Sequence, residues 1–299
     1  MEKNSKKRRK KESSSVKMAP SCLAEVADPE RILRDYSQLE TQLAPLYEKW
    51  KSVDKNFSDR GSLFPGVRIL RQDPVENLFS FICSSNNNIS RISGMVEKLC
   101  TEYGTLAGIL DGDKWYNFPS VSSLAGKDTE SELRKLGFGY RAKFIHQTAN
   151  ILSEERSTDW LHTLRKLSYE EAHAELQKLP GVGAKVSDCV CLFSLDKPGA
   201  IPVDTHVWQI ASRDYMPELK SKKSLTDKTY REIGEFFREL FGEYAGWAHS
   251  VLFSADLKKF QDIAEGRKSQ HSTDEEVVHP NKKQRKSSKK PSKKETKEK

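Results

Sequence analysis

The chain has 299 residues and carries 51 Lys and Arg against 43 Asp and Glu, a net charge of +8. Its longest uncharged stretch, Asn77–Ser90, is Ser- and Asn-rich and too short for a membrane span, and the lysine-rich N-terminus runs into serines, not an apolar secretory segment. Five cysteines (Cys22, Cys83, Cys100, Cys189, Cys191) with no Cys-x-x-Cys pair support neither a disulfide framework, a zinc ribbon nor a cysteine-bound iron–sulfur cluster; free thiols in a reducing compartment fit better.

Along the chain the charge separates. Residues 1–18 carry a net +6, residues 281–299 a net +8, and residues 19–280 a net −6. Residues 1–27 and 258–299 are expected to be disordered basic tails, with blocks such as Lys6-Lys7-Arg8-Arg9-Lys10-Lys11 and Lys282-Lys283-Gln284-Arg285-Lys286. Such blocks suggest a nuclear address, salt-sensitive contact with DNA phosphates, or solvated tails with no role. Residues 28–257 are then the folded region, long enough for one large core or two small ones.

From Asp28 onward nearly every signal is helical. Asp28-Pro29-Glu30 opens a helix with Ile32, Leu33, Tyr36, Leu39 and Leu43 on one face. Asp73-Pro74 opens a second, with Leu78, Phe79 and Ile82 as its stripe. Ile89, Ile92, Met95, Val96 and Leu99 mark a third, ended by Gly104. Helices also fit 129–136, 140–155, 158–166, 168–178, 184–195, 205–213, 227–241 and 244–255, and Ser168-x-x-Glu171 reads as a capping box. Period-two alternation is nearly absent and no repeat is visible, so the expected fold class is all-α.

Two of those helices are joined by Leu179-Pro180-Gly181-Val182-Gly183. Gly181 and Gly183 permit a tight hairpin whose backbone N–H groups face outward beside a helix N-terminus, a geometry that binds phosphate without basic side chains. The same run also suits an ordinary helical corner. Lys185 follows in the first turn of the next helix, where the positive helix end and desolvation both favour the neutral amine; it reads as a nucleophile able to form a Schiff base, or as an exposed phosphate contact. Cys189 shares its face one turn on, and could tune the lysine or simply pack. Asp204 of Pro202-Val203-Asp204-Thr205-His206 reads as an N-cap, compatible with stabilising developing positive charge on a sugar. His206 reads as a phosphate contact or a structural histidine.

The sequence LPGVGAK followed by a Gly/Pro stretch and VDTH resembles the helix-hairpin-helix, Gly/Pro-rich, aspartate pattern of base-excision DNA glycosylases. FPGVRILRQDPVENLFSFICSSNNNISRISGMVEKLC, LGFGYRAKF and YAGWAHSVLFSADL resemble, more closely, the eukaryotic 8-oxoguanine DNA glycosylases, over about residues 29–257. The resemblance implies an all-α helix-hairpin-helix glycosylase fold and a bifunctional glycosylase and lyase. In it Lys185 is the Schiff-base nucleophile and Asp204 the catalytic carboxylate. It further implies that Asn86 fills the gap left by the flipped nucleotide, Arg91 and Arg141 hold the orphaned cytosine, and Tyr140 wedges between bases. Cys189 and Phe253 would sandwich the flipped purine. Without the resemblance, Asn86-Asn87-Asn88 reads as a helix start and Gly139-Tyr140-Arg141 as a corner.

Three departures stand out. His249 occupies a position where that family has a glutamine reading the Watson–Crick edge, and neutral histidine keeps one donor and one acceptor. Phe193 replaces a methionine. The family also begins with an antiparallel β domain of about a hundred residues, whereas residues 1–27 here read as a tail, so exposed apolar surface and weaker lesion discrimination are expected. The expected partner is damaged double-stranded DNA, with no membrane and a monomeric state. No metal or organic cofactor is implied, although a carbonyl-lined hairpin has room for a structural cation. The alternative is a catalytically weak DNA-binding or regulatory form.

Overall fold

The computed structural model describes residues 17–18, 28–157, 159–222 and 224–257. The expectations for the two tails therefore lie outside the described residues, Lys17–Met18 excepted. Lys17–Met18 form a short strand, β1.

Aspartate, asparagine and serine caps start the helices where the sequence places them. Asp28 accepts from the Glu30 N–H ahead of α1 (Pro29–Tyr36). The apolar stripe expected to run from Ile32 to Leu43 is divided between two helices, because the chain breaks at Gln38 (φ 49°) before α2 (Leu43–Val53). Long-range bonds cause the break: Gln38 Nε2 donates to the Ile69 carbonyl at 2.8 Å, and Arg68 Nη1 donates to the carbonyls of Gln38 and Thr41 at 2.9 and 2.7 Å. The α1 residues Ile32 and Leu33 are 51% and 61% exposed.

Next come α3 (Lys55–Gly61), α4 (Pro74–Ser84), capped by Asp73, and α5 (Ile89–Tyr103), capped by Asn88 and ended at Gly104. A hairpin of β2 (Leu106–Leu110) and β3 (Asp113–Tyr116) then interrupts the helices, and β1 completes a sheet of order β1-β2-β3. The sequence reading missed this hairpin. Its two-residue turn, Asp111-Gly112, has φ of 54° and 91°, the geometry that an Asp-Gly pair supports.

The second half is helical among the described residues. It comprises α6 (Val121–Leu124), α7 (Thr129–Lys135), α8 (Arg141–Asn150), α9 (Trp160–Thr163), α10 (Tyr169–Leu176), α11 (Ala184–Ser194), α12 (Thr205–Ile210), α13 (Asp227–Phe241) and α14 (Ala245–Asp256). The Ser168–Glu171 capping box is present at α10. Helix α11 runs through the centre, packed on α4 and α10, and buries every residue from Val186 to Leu192. Elsewhere in the same core Trp50, Phe57, Phe237 and Phe241 form a fully buried aromatic layer. Each such phenylalanine contributes roughly 1.5–3 kcal/mol of burial free energy. Packing on α4 and α10 holds α11, and hence the residues at its N-terminus, in place.

Candidate active site

The turn between α10 and α11 is the tight hairpin the glycines allow. Gly181 has φ 78°, Val182 N–H bonds back to the Leu179 carbonyl at 3.2 Å, and Thr148 of α8 donates to the Pro180 carbonyl at 3.0 Å. Gly183 caps α11 with no side chain, so the first amides of that helix face outward, and a Cβ there would meet open space. At Gly181 a Cβ would stand 2.7 Å from Phe144, which in turn touches the Tyr140 ring edge-on at 5.9 Å. Gly181→Ala combines that clash with a left-handed backbone. It is expected to destabilise the fold by about 1–3 kcal/mol and to weaken duplex binding, checked by denaturant unfolding and fluorescence anisotropy. Unchanged values for both would show that the hairpin does not need this close packing.

Lys185 lies half-buried one residue into α11. Its Nζ sits 3.4 Å from Ser84 Oγ and 4.8 Å from the centroid of the Phe81 ring. Phe193 stacks parallel to Phe81 at 5.7 Å, so this departure from the family pattern falls on a ring that touches the lysine. Cys189, one turn along, is 2% exposed. Burial pushes its thiol up to about 12, with the Lys185 ammonium acting in the opposite sense, so it is an uncharged neighbour of the lysine. The Asp204 carboxylate adds to the rise. Asp204 is the N-cap of α12 and accepts from the N–H groups of His206 and Val207, both at 2.9 Å. Its expected capping role is thus present.

The base-pocket candidates also meet. His249 of α14 is 5% exposed, and both its ring nitrogens are buried without a hydrogen-bond partner. Burial lowers its pKa from 6.5 to about 4, against the pull of Asp204 and Asp188, so the ring is neutral at working pH. Its ring lies 6.4 Å from Phe253, which contacts the exposed His206 edge-on at 6.0 Å. Orphaned polar atoms inside an aromatic setting are what a pocket for a polar, flat ligand presents.

The DNA-side candidates gather around the turn after α4. Asn86 is exposed at φ 46°; Asn87 Nδ2 ties that turn to the Cys83 carbonyl at 2.9 Å, and Asn88 caps α5. Tyr140 is 47% exposed and donates to the Ser85 carbonyl at 3.1 Å. Arg91 is exposed and donates to the Gly137 carbonyl at 3.2 Å. Arg141 is placed differently from an open base-reading hand. Only 3% exposed, it donates to the carbonyls of Ser85 and Asn86 and lies against the Tyr140 ring, so it holds the Asn86 turn in shape.

Sequence reasoning overlooked Phe81 and Ser84, which touch the lysine, and Asp188, buried behind it. Phe81 and Ser84 carry no local signal, since they read as two more residues of an apolar helix. Among the described residues no group of three or more His, Cys, Asp or Glu is gathered to hold a metal ion, and no helix is long and apolar enough to cross a membrane. What the arrangement offers is a lysine amine at the N-terminus of α11, a carboxylate capping α12 and a buried imidazole on α14, with the glycine hairpin and the Asn86 turn as further polar backbone.

Residues 79–236 match the family described as HhH-GPD superfamily base excision DNA repair protein, and residues 7–78 match the description 8-oxoguanine DNA glycosylase, N-terminal domain. Within that second span the described elements are β1 and helices α1 to α3 together with the start of α4. The chain is 44% identical over 245 residues to "N-glycosylase/DNA lyase OGG1" of Arabidopsis thaliana, covering 81% of this chain and 66% of that protein. It is 41% identical over 250 residues to "N-glycosylase/DNA lyase" of Saccharomyces cerevisiae, covering 75% and 66%. The chain thus spans about 66% of the length of these two curated relatives. Among solved structures, the apo 8-oxoguanine glycosylase/lyase of Clostridium acetobutylicum is 32% identical with a TM-score of 0.65, covering 75% of this chain and 74% of that one. The same Clostridium enzyme, in complex with dsDNA containing cytosine opposite 8-oxoguanine, matches with a TM-score of 0.65.

Proposed function

The chain belongs to the HhH-GPD superfamily of base excision DNA repair proteins, and from that membership we propose that it is a bifunctional DNA glycosylase and lyase removing 8-oxoguanine and related oxidised purines opposite cytosine. The observation that carries the proposal is Lys185, half-buried at the N-terminus of α11 beside the glycine hairpin, with its Nζ 3.4 Å from Ser84 Oγ and over the Phe81 ring. The names of the relatives and of the Clostridium enzyme support the same chemistry.

In this reading the outward amides of the hairpin and the α11 dipole hold backbone phosphate, and the nucleotide swings out into the pocket of His249 and Phe253. The Lys185 amine attacks C1′ as the C1′–N bond to the base breaks; the base leaves with the electron pair of that bond and takes up a proton, and the attacking nitrogen gives one up, so the step balances. Asp204 opposes the positive charge that develops on the sugar. Opening of the sugar ring turns the N–C1′ bond into a Schiff base. Removal of a C2′ proton then expels the 3′ phosphate, cutting the strand. The basic tails make a nuclear address and salt-sensitive tethering to DNA part of the proposal, with a monomer acting on damaged duplex.

Release of free 8-oxoguanine and a 3′ nick from an 8-oxoguanine:cytosine duplex, followed by chromatography and gel, tests this reading. Duplex binding with neither product would favour a DNA-binding or regulatory form instead.

His249 sets a further expectation. An amide presents an acceptor and a donor on one edge, whereas imidazole turns only one ring nitrogen to a base edge at a time. His249→Gln is expected to raise single-turnover release of 8-oxoguanine roughly tenfold, the worth of one added hydrogen bond. The substitution also changes the response to acid. With a folded-state value of about 4 against 6.5, the unfolded chain binds the proton first, so His249 lowers stability as pH falls from 6.5 toward 4. His249→Gln flattens that part of the stability curve in urea unfolding; an unaltered curve would show that His249 is not the group responsible.

A further inference from the structure

Asp188 is the one charged residue in the buried stretch of α11, three positions after Lys185 and next to Cys189, with its side chain 1% exposed. Desolvating a carboxylate is unfavourable, and an apolar side chain would serve packing at least as well. Its two oxygens are directed at hydroxyls from two different helices. Oδ1 accepts from Tyr169 of α10 at 2.7 Å, and Oδ2 accepts from Tyr230 of α13. His173 Nε2 stands 3.6 Å from Oδ2. Gln177 Nε2 lies 2.9 Å from His173 Nδ1 and donates to it, which leaves the ring proton on Nε2, facing Asp188.

Tyr230 carries the connection onward. While its hydroxyl donates to Asp188, its oxygen accepts the Val203 N–H at 3.3 Å. Val203 directly precedes Asp204, at the end of the buried segment Ala200–Val203. A short path therefore leads from Lys185 along one rigid helix to Asp188, through the Tyr230 hydroxyl, to the backbone beside Asp204. Asp204 is fixed from its other side by the two amides it caps. Burial and the neighbouring Asp188 hold both tyrosine hydroxyls well above their ordinary pKa, so they stay protonated and able to donate.

We propose that Asp188 is a positioning residue of this site, which through Tyr230 fixes the loop carrying Asp204 against the helix carrying Lys185. The catalytic part of this statement rests on the glycosylase and lyase reading above. Misplacing a reacting group by about 1 Å slows a reaction by as much as 100-fold, whereas a bond made far from the reacting atoms does not change the rate so steeply.

Three variants test it: Tyr230→Phe, which keeps the ring and loses the hydroxyl's contacts with Asp188, the Val203 amide and the Ile201 carbonyl; Asp188→Asn, which keeps the shape and one acceptor; and Tyr169→Phe, which cuts the other Asp188 oxygen but leaves the Val203 link. Tyr230→Phe and Asp188→Asn are each expected to slow single-turnover base release about 10- to 100-fold, with affinity for a duplex bearing a stable abasic analogue unchanged within twofold. The double variant should be no slower than the slower single one, because both cut the same path. Tyr169→Phe should stay within about threefold of the parent. Amide hydrogen exchange at Val203 gives a readout independent of activity, and it should quicken at least about tenfold in Tyr230→Phe and Asp188→Asn but not in Tyr169→Phe.

Rates and exchange for Tyr230→Phe within threefold of the parent would overturn the proposal, and so would equal losses in all three variants, which mark a merely stabilising cluster. Should Asp188→Asn fail to fold, the conservative Tyr230→Phe decides alone. A parent chain that released no base would remove the glycosylase reading, and exchange at Val203 would still decide whether Asp188 holds this loop.

Discussion

Lys185→Gln is expected to leave a folded protein that binds duplex DNA, cuts no strand and releases base at least about 10³-fold more slowly, the scale of loss that follows removal of a covalent nucleophile. The separation of binding from chemistry follows from the geometry. Lys185 is half-buried and meets Ser84 only at 3.4 Å, while the hairpin amides and the Asn86 turn are held by other residues. Glutamine keeps a polar, unbranched side chain, one atom shorter, over Phe81 but has no amine to attack C1′. The change is read by single-turnover nicking, with affinity for the same duplex measured alongside. Strand cutting at the parental rate in Lys185→Gln would assign the nucleophile elsewhere.

The second large effect separates two roles of one carboxylate. Asp204 caps α12 through the His206 and Val207 amides, and in the proposed reaction it is also the carboxylate that opposes positive charge on the sugar. Asparagine caps a helix about as well as aspartate, so Asp204→Asn should unfold within about 0.5 kcal/mol of the parent while base release falls about 10²–10³-fold. Asp204→Ala loses the cap too and should be destabilised by a further ~1 kcal/mol. Denaturant unfolding and single-turnover release on the two variants give the four numbers needed. Equal stability of the two variants would mean that the cap contributes nothing; parental rates in both would remove Asp204 from the chemistry.

The local parts of this fold are legible in the sequence because their causes are local. Asp73-Pro74, the Ser168–Glu171 box and Gly104 act within one helical turn, and each ends or begins a helix where it is expected. The hairpin at Gly181 and the cap at Asp204 belong to the same class. Elements set by distant partners were not legible. The break after α1 comes from bonds between Gln38, Arg68 and Ile69, about 30 positions apart, which outweigh an uninterrupted helical stripe. The β2–β3 hairpin did have a local signal, Asp111-Gly112, overlooked because the flanking strands Leu106–Leu110 and Asp113–Tyr116 lack clean alternation.

The site divides in the same way. Lys185, Asp204 and the glycines are recognisable from residue type and spacing, and the resemblance of several runs to one family adds His249, Phe253, Asn86 and the arginines. The inward placement of Arg141 on the Ser85 and Asn86 carbonyls is a three-dimensional fact with no trace in the pattern. So is the meeting of Tyr169, Asp188 and Tyr230, drawn from three helices. A lone aspartate within the apolar run Val186–Leu192 was the available hint, and its meaning depends on what lies across the helix interface.

The most direct measurement is to trap the protein on an 8-oxoguanine:cytosine duplex with borohydride, digest the adduct and map it by mass spectrometry. A Schiff base at the proposed nucleophile yields, after reduction, a single modified peptide carrying the sugar remnant on Lys185 and a missed tryptic cleavage at that residue. An adduct on any other lysine, or none at all while the duplex is bound, would contradict a glycosylase and lyase centred on Lys185.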